Sequence, residues 1–183
     1  MKKWRYIGFD DGFSSFRDEK AYLVGCITTG TSVEGFLFTT IEVDGFDVTS
    51  KIIDLILKSR FREQLKCIFL SGITFGGFNI ADVDEINRKT GIPVVVTMKK
   101  PPDLSLIGEA LQNVSEVERR MEIIKKAGEI YGTRGIYIQF RGCSLGEAER
   151  FIESSKVGSK IPEPLRIAHL VASSLVYGES TKT

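Results

Sequence analysis

Apolar residues along this chain fall first into strand-like runs and only later into helical stripes. Residues 4–10 read as a strand that ends in an acid, Asp10. Residues 20–29 and 33–43 read as two more. The turn Thr28-Thr29-Gly30-Thr31-Ser32 between them predicts an antiparallel hairpin. Over 47–59 the period changes: Ile52, Ile53, Ile56 and Leu57 form one apolar stripe of a helix, with Asp47 or Thr49 as its cap. Cys67 to Leu70 is almost continuously apolar, which suits a strand covered on both faces.

A helix follows over 80–90, ended by Gly91, and then a strand over 92–97 with Pro93 tolerated at its start. Residues 114–130 read as an amphipathic helix capped by Asn113 or Ser115, and 136–140 as a last strand. Ser144 and Glu147 form a capping-box pattern that opens a helix to about Ser154. Pro162-Glu163-Pro164 opens a final helix carrying Leu165 through Tyr177, where proline in the first turn loses no hydrogen bond. Three strands followed by alternating helix and strand predict an α/β fold with a mixed central sheet and helices on both faces. Right-handed crossovers put the strands at 4–10 and 66–71 side by side and parallel. Functional groups then belong beyond the carboxyl ends of those two strands.

Composition narrows the picture modestly. A length of 183 residues with 42% hydrophobic content fits one domain, 1–183, with a full core. No apolar run reaches the roughly 20 residues that span a bilayer. The N-terminus runs directly into a strand, so a cytoplasmic location and no membrane partner are expected. Cys26, Cys67 and Cys143 are scattered, which is the usage of a reducing compartment. With a single histidine they cannot form a structural zinc site of the usual spacing. A net charge of +1 means that any nucleic-acid footprint must be local. Local cations exist at Arg60, Arg62 and Lys66, at Lys99 and Lys100, and at Arg119, Arg120, Lys125 and Lys126. Glu116, Glu118 and Glu122 balance the last group, as on a solvated helix face.

Candidate chemistry begins with Asp10 and Asp11. Side chains alternate along a strand, so only one of the two should enter a cleft, and the last strand residue, Asp10, is favoured. Two neighbouring strands that each end in an acid can hold a divalent cation, but here the second ends in the neutral hydroxyl of Ser71. The glycine-rich loop from Ser71 to Asn79 could cradle phosphate with backbone N–H groups. It lacks the Gly-Lys-Ser/Thr ending of a P-loop, and Gly72, Gly76 and Gly77 could equally serve turn geometry. Phe75 and Phe78 read as core residues before they read as base-stacking platforms. His169 shares a helix face with Leu165, Ala172 and Val176, and fits either a satisfied core group or an acid–base group or ligand. Cys143 precedes a capped helix that could lower its pKa, yet no partner orients it for nucleophilic work.

Three segments together carry a family resemblance: Gly8-Phe9-Asp10-Asp11-Gly12, Ser71 through Asn79, and Pro162 through Leu170. Over nearly its whole length the chain resembles an archaeal family, a domain of unknown function, that is itself distantly similar to endonuclease V. The resemblance implies a ribonuclease-H-like, three-layer fold and a Mg²⁺ site built from acids. It also implies action on nucleic acid near deaminated purines such as inosine. By the same resemblance Asp10 matches the first metal-binding aspartate, and Ser71 stands where the enzymes carry the second. Lys99 matches a retained lysine, and His169 falls where the enzymes have a histidine or aspartate near the metal. The loop histidines are gone, the strand-separating wedge is replaced by Val43-Asp44-Gly45-Phe46, and Asp47 is the acid nearest to the missing catalytic glutamate.

The resemblance therefore implies catalytic roles for Asp10, His169 and Lys99 and a weak Mg²⁺ site at Asp10 and Asp47. Ligand binding would fall to Ser71, Gly72, Thr74, Gly76, Gly77 and Arg166. The expected function is an endonuclease-V-like protein that binds nucleic acid or nucleotide, with metal-dependent catalysis weakened or lost at Ser71. The alternative is an active Mg²⁺-dependent endonuclease acting on modified or single-stranded nucleic acid. A third reading is an interaction protein with a relic cleft. A homo-oligomer is compatible with all three.

Overall fold

A computed structural model describes residues 4–183. The chain opens with β1 (Arg5–Gly12), β2 (Lys20–Thr29) and β3 (Ser32–Glu42), then α1 (Val48–Lys58) and β4 (Leu65–Ser71). A short hairpin of β5 (Thr74–Phe75) and β6 (Asn79–Ile80) leads to α2 (Val83–Thr90) and β7 (Val94–Met98). Then come α3 (Leu104–Leu111), α4 (Val117–Lys126), β8 (Tyr131–Thr133), β9 (Ile136–Arg141), α5 (Leu145–Ser155) and α6 (Glu163–Tyr177). Seven strands form one sheet in the order β3-β2-β1-β4-β7-β9-β8. The three central strands β1, β4 and β7 are parallel, and antiparallel pairs flank them on both sides.

The continuous apolar run in β4 is explained by its central position. Ile68 and Leu70 enter a core with β1, α1 and α2, while Cys67 and Phe69 enter a second core with α5 and α6 on the opposite face. Each fully buried Ile or Leu contributes about 1.5–3 kcal/mol relative to exposure. The predicted stripe of α1 holds for Ile52, Ile53 and Ile56, but Leu57 is left exposed and Val48 takes its place in the core.

Helix α6 lies against β1 with unusual closeness. A methyl on Gly8 would come within 2.5 Å of the Leu165 backbone nitrogen, and one on Gly12 within 2.6 Å of the Ala172 carbonyl oxygen. Glycines at 8 and 12 therefore set how deeply α6 seats, and with it where His169 arrives.

Several expectations are corrected. The helix expected over 80–90 starts only at Val83, where Asp82 caps it by accepting from the Glu85 N–H at 2.9 Å, because Asn79 and Ile80 pair with Phe75 and Thr74. The helix expected over 114–130 is limited to Val117–Lys126: Glu116 at its start is left-handed (φ 55°), and Gly128 turns the chain away after its end. Helix α3 and strand β8 were not anticipated. The first has Gly108 inside it and exposes Leu104 and Leu106, so its pattern does not read as amphipathic, and the second has only three residues. Arg120 does not lie on a solvated face; it is 1% exposed. Among the described residues no helix is long and apolar enough to cross a membrane.

Candidate functional site

The parallel register pairs Phe9 with Leu70, so the next residues, Asp10 and Ser71, occupy adjacent strand ends. Alternation along β1 puts Gly8, Asp10 and Gly12 on the α6 face and Phe9 and Asp11 on the other. Asp10, 7% exposed, accordingly meets α6: its Oδ2 lies 2.9 Å from His169 Nδ1, and its Oδ1 accepts from the Asp11 N–H at 3.0 Å. With a carboxylate as partner, Nδ1 carries the proton, and Nε2 is left to the Thr181 hydroxyl at 3.1 Å. The bond to Asp10 is the main cause that raises the His169 pKa above its ordinary value, with burial opposing it.

A cleft of about 480 Å³ opens at these strand ends, and Asp10, Asp11, Ser71, Thr97, Lys99 and His169 all line it, along with Gly72 and Lys182. The expectation that only Asp10 would reach the cleft is thus corrected. The two carboxylates leave opposite faces of the sheet, but at the strand's last turn both border the same space. Burial, reinforced by the charge of Asp10, pushes Asp11 up to about 7, although its Oδ2 accepts from the Gly76 N–H at 2.8 Å.

Other anticipated site residues lie elsewhere. Asp47 is not in the cleft: its Oδ1 accepts from Asn79 Nδ2 at 2.7 Å and from the Glu42 N–H at 3.1 Å, and the expected Asp47 cap is not made, since Asn79 Oδ1 accepts from the Val48 N–H at 3.1 Å instead. Arg166 is engaged with Glu163, donating at 2.8 and 2.6 Å through Nε and Nη2. Thr74 lines a neighbouring apolar cavity rather than the cleft. Two of the three loop glycines have their N–H groups engaged within the protein, and that of Gly72 donates to the Thr97 carbonyl at 3.1 Å. Gly76 and Gly77 are both left-handed (φ 49° and 82°), and the Gly76 N–H is taken by Asp11. Cys143 is the reverse of an activated thiol, because burial and the nearby Glu147 push it up to about 11. Phe75 is in the core, as its pattern predicts.

Arg120 holds this loop in shape. Its Nη2 donates to the Asp44 carbonyl at 2.6 Å, its Nη1 to the carbonyls of Gly45 (3.1 Å) and Phe78, and its Nε to that of Ser115 (2.8 Å). Asp44 in turn donates its N–H to the Gly76 carbonyl at 2.8 Å and accepts from the Phe78 N–H at 2.8 Å. A chain of bonds therefore runs from a buried guanidinium through Asp44 and Gly76 to the Asp11 carboxylate.

A divalent cation fits this cleft in one mode. Among the described residues no three His, Cys, Asp or Glu side chains are grouped to hold a metal, so a closed protein cage is absent. Two adjacent carboxylates, one of them raised by burial and then by the charge of the other, suit a hard cation that takes its remaining oxygens from water and phosphate, as Mg²⁺ does.

Comparison with known proteins follows the same lines. The family model described as Endonuclease dU matches residues 2–176. A UPF0215 protein of Archaeoglobus fulgidus is 49% identical over 180 residues, covering 98% of each chain. A crystal structure of an A. fulgidus protein superposes with a TM-score of 0.92 at 48% identity, covering 96% of this chain and all of that one. Human endonuclease V superposes with a TM-score of 0.61 at 16% identity, over 93% of this chain and 83% of the other. Endonuclease V of Ciona intestinalis, in complex with a 24mer DNA containing an inosine, gives 0.60 at 14% identity, over 91% and 83%. The fold is the ribonuclease-H-like fold of endonuclease V.

Proposed function

The chain belongs to the Endonuclease dU family, and from that membership we propose that it is a divalent-cation-dependent endonuclease acting on DNA that contains deoxyuridine. The observation that carries this reading is the pair Asp10 and Asp11 on one cleft with Lys99 and His169. Asp11 supplies the second carboxylate whose loss at Ser71 argued for a weakened site. A Mg²⁺ ion held there would neutralise charge on a phosphodiester and lower the pKa of a bound water.

The remaining work falls to the chain's own groups. Asp10 and Asp11 offer the carboxylate oxygens. His169, with its proton held on Nδ1 by Asp10, keeps positive character beside the cleft. Lys99, exposed at the rim, supplies a cation for a phosphate oxygen, and the Ser71 hydroxyl can bond a water or a phosphate oxygen. The inosine-containing DNA carried by the Ciona endonuclease V supports a nucleic acid as the ligand of this fold.

One observation favours a second reading, a nucleic-acid-binding module with weak catalysis: both Asp10 oxygens already have partners within the protein. Single- and double-stranded oligonucleotides containing deoxyuridine, inosine or neither, incubated with Mg²⁺ or Mn²⁺, separate the two. Scission at deoxyuridine that falls on the order of 100-fold or more in Asp10→Ala is expected, since the cation's charge stabilisation amounts to several kcal/mol. Salt-sensitive binding without scission under either metal would replace the endonuclease reading with the binding one.

A further inference from the structure

The sheet has two edges, and only one of them is blunted. At one end β8 has three residues, a length that keeps other strands from pairing with it. At the other end β3 runs for 11 residues, and among the described residues no strand pairs on its outer side. A long edge is normally protected by lysine, proline, an inward-pointing charge or a bulge. β3 contains neither lysine nor proline. Its one irregularity lies at the turn end, where the register shifts between Ile27 and Thr28, and from Gly35 to Glu42 the pairing with β2 is regular. Its charges are Glu34, which accepts from Arg5 Nε at 2.6 Å, and Glu42 at its end.

This edge is also apolar. Phe38 pairs with Val24 and Phe36 with Cys26, and both β2 residues are buried together with Ala168 and Ala172 of α6. Directly opposed residues of neighbouring strands share a face, so both phenylalanines stand on the α6 side. Helix α6 packs mainly on β1 and β2, which leaves Phe36 48% and Phe38 52% exposed. Tyr22 tilts against Phe38 with 5.8 Å between ring centroids, and Leu175 of α6 is exposed as well. On the opposite face Leu37, Thr39 and Leu55 border an open recess.

We propose that β3 pairs antiparallel with β3 of a second copy of this chain about a two-fold axis at Leu37, so that the protein is a dimer with one continuous sheet. In such an isologous interface each residue meets the one equally far beyond the axis. With the axis at Leu37, Phe36 of each copy faces Phe38 of the other, Gly35 faces Thr39, and Glu34 faces Thr40. An axis at Phe38 would set Glu34 against Glu42, and one at Phe36 would set Glu34 against Phe38. Aromatic pairs across strands stabilise and like charges directly opposite destabilise, so Leu37 is the favoured centre. The four phenylalanines then fill the space beside β3 that α6 leaves open. An 11-residue strand spans about 35 Å, and a layer packed on each face of the sheet adds about 10 Å of width, so the edge offers on the order of 700 Å² per copy. Stable complexes bury roughly 600–1,000 Å² per partner. Because β3 runs parallel to β1, the axis turns the two clefts to opposite ends of the joined sheet, and each cleft keeps all of its residues from one chain.

The test is the mass of the intact chain in solution. Light scattering behind a sizing column should give twice the mass of one chain, and the melting temperature should rise with protein concentration. Phe38→Lys sets a lysine against Phe36 twice in each dimer and should give the single-chain mass with an unchanged far-ultraviolet circular dichroism spectrum. Leu37→Cys brings two thiols together on the axis and should cross-link on mild oxidation, whereas Phe38→Cys and the wild type should not. If Phe38→Lys does not fold, the two cysteine variants decide. A wild type of single-chain mass at about 100 µM, far above the Kd that an interface of this size ordinarily gives, overturns the proposal. So does a dimer that persists in Phe38→Lys, or cross-linking in Phe38→Cys but not in Leu37→Cys. A monomeric wild type whose oligonucleotide binding is lost in Phe38→Lys would give this face to nucleic acid instead.

Discussion

Asp10 and Asp11 are consecutive, yet the pleat sends them to opposite faces of the sheet, and their surroundings give them different electrostatic lives. Asp10 is paired with His169 across the face of α6, whereas Asp11 has a single backbone donor from the loop and a carboxylate beside it. The pKa of Asp11, about 7 in the folded chain against an ordinary 3.8, means that the native state binds its proton more tightly than the unfolded state. Its charge therefore costs stability above pH 7, and the cost fades as pH falls from about 7 towards 4. Asp11→Asn should melt at a higher temperature than the wild type at pH 8 and at nearly the same temperature at pH 4. A gap that is absent at pH 8, or constant across this range, would remove the claim. His169 acts in the same direction. Its raised pKa gives stability that is full below its ordinary 6.5 and is lost as pH rises through the elevated value. At this scale strand order suggested that Asp10 and Ser71 are neighbours and only the family resemblance added Lys99 and His169; all four line one cleft. The sequence ranked Asp11 second, because the strand read from it ended at Asp10, whereas β1 runs on to Gly12 past the end of its pairing with β4 and both carboxylates border the open space there.

The elements that matter most are the ones that hold backbone in place. The β5–β6 hairpin and the Asp44 turn meet at Arg120, whose guanidinium serves four carbonyls and lies 4.0 Å from the Phe46 ring centroid. Arg120→Met keeps bulk but leaves those carbonyls short of donors. Destabilisation of about 2–4 kcal/mol is expected. Denaturant melts measure it, and a loss under about 0.5 kcal/mol, the range of ordinary surface substitutions, would show that the network is redundant. In the sequence Arg120 reads as one charge among several on a helix face. Nothing local distinguishes it from Arg119, which is partly exposed beside the same ring. Its burial comes from chain segments some 42 to 76 residues away in sequence, beyond the reach of periodicity.

For the molecule as a whole, a net charge of +1 gives no general attraction to nucleic acid. Binding must draw on the few cations near the cleft: Lys99 and Lys182 line it, and Lys100 and Lys125 border the adjoining cavity. Each phosphate neutralised on a single strand contributes about −0.7 to the slope of log K against log salt, so four lysines predict a shallow slope of about −3. Lys99→Ala should reduce the magnitude by about 0.7 without changing the preference for one base over another. A slope several times steeper in the wild type would place the nucleic-acid footprint on another face.

What the sequence determined by itself is the order of the main strands and helices, without α3, β8 and the β5–β6 hairpin, and the parallel neighbourhood of the strands carrying Asp10 and Ser71. Both follow from periodicity, turn residues and the handedness of crossovers, which are local or general constraints. Tertiary structure alone decided that Asp47 bonds Asn79 and the end of β3, that Arg166 pairs with Glu163, and that Asp11 joins the cleft. It also decided that Arg120 is buried. Each of these depends on which distant backbone atom or charge comes within hydrogen-bonding distance. That distance is set by how closely α6 and the loops seat against the sheet, and no pattern within a single segment encodes it.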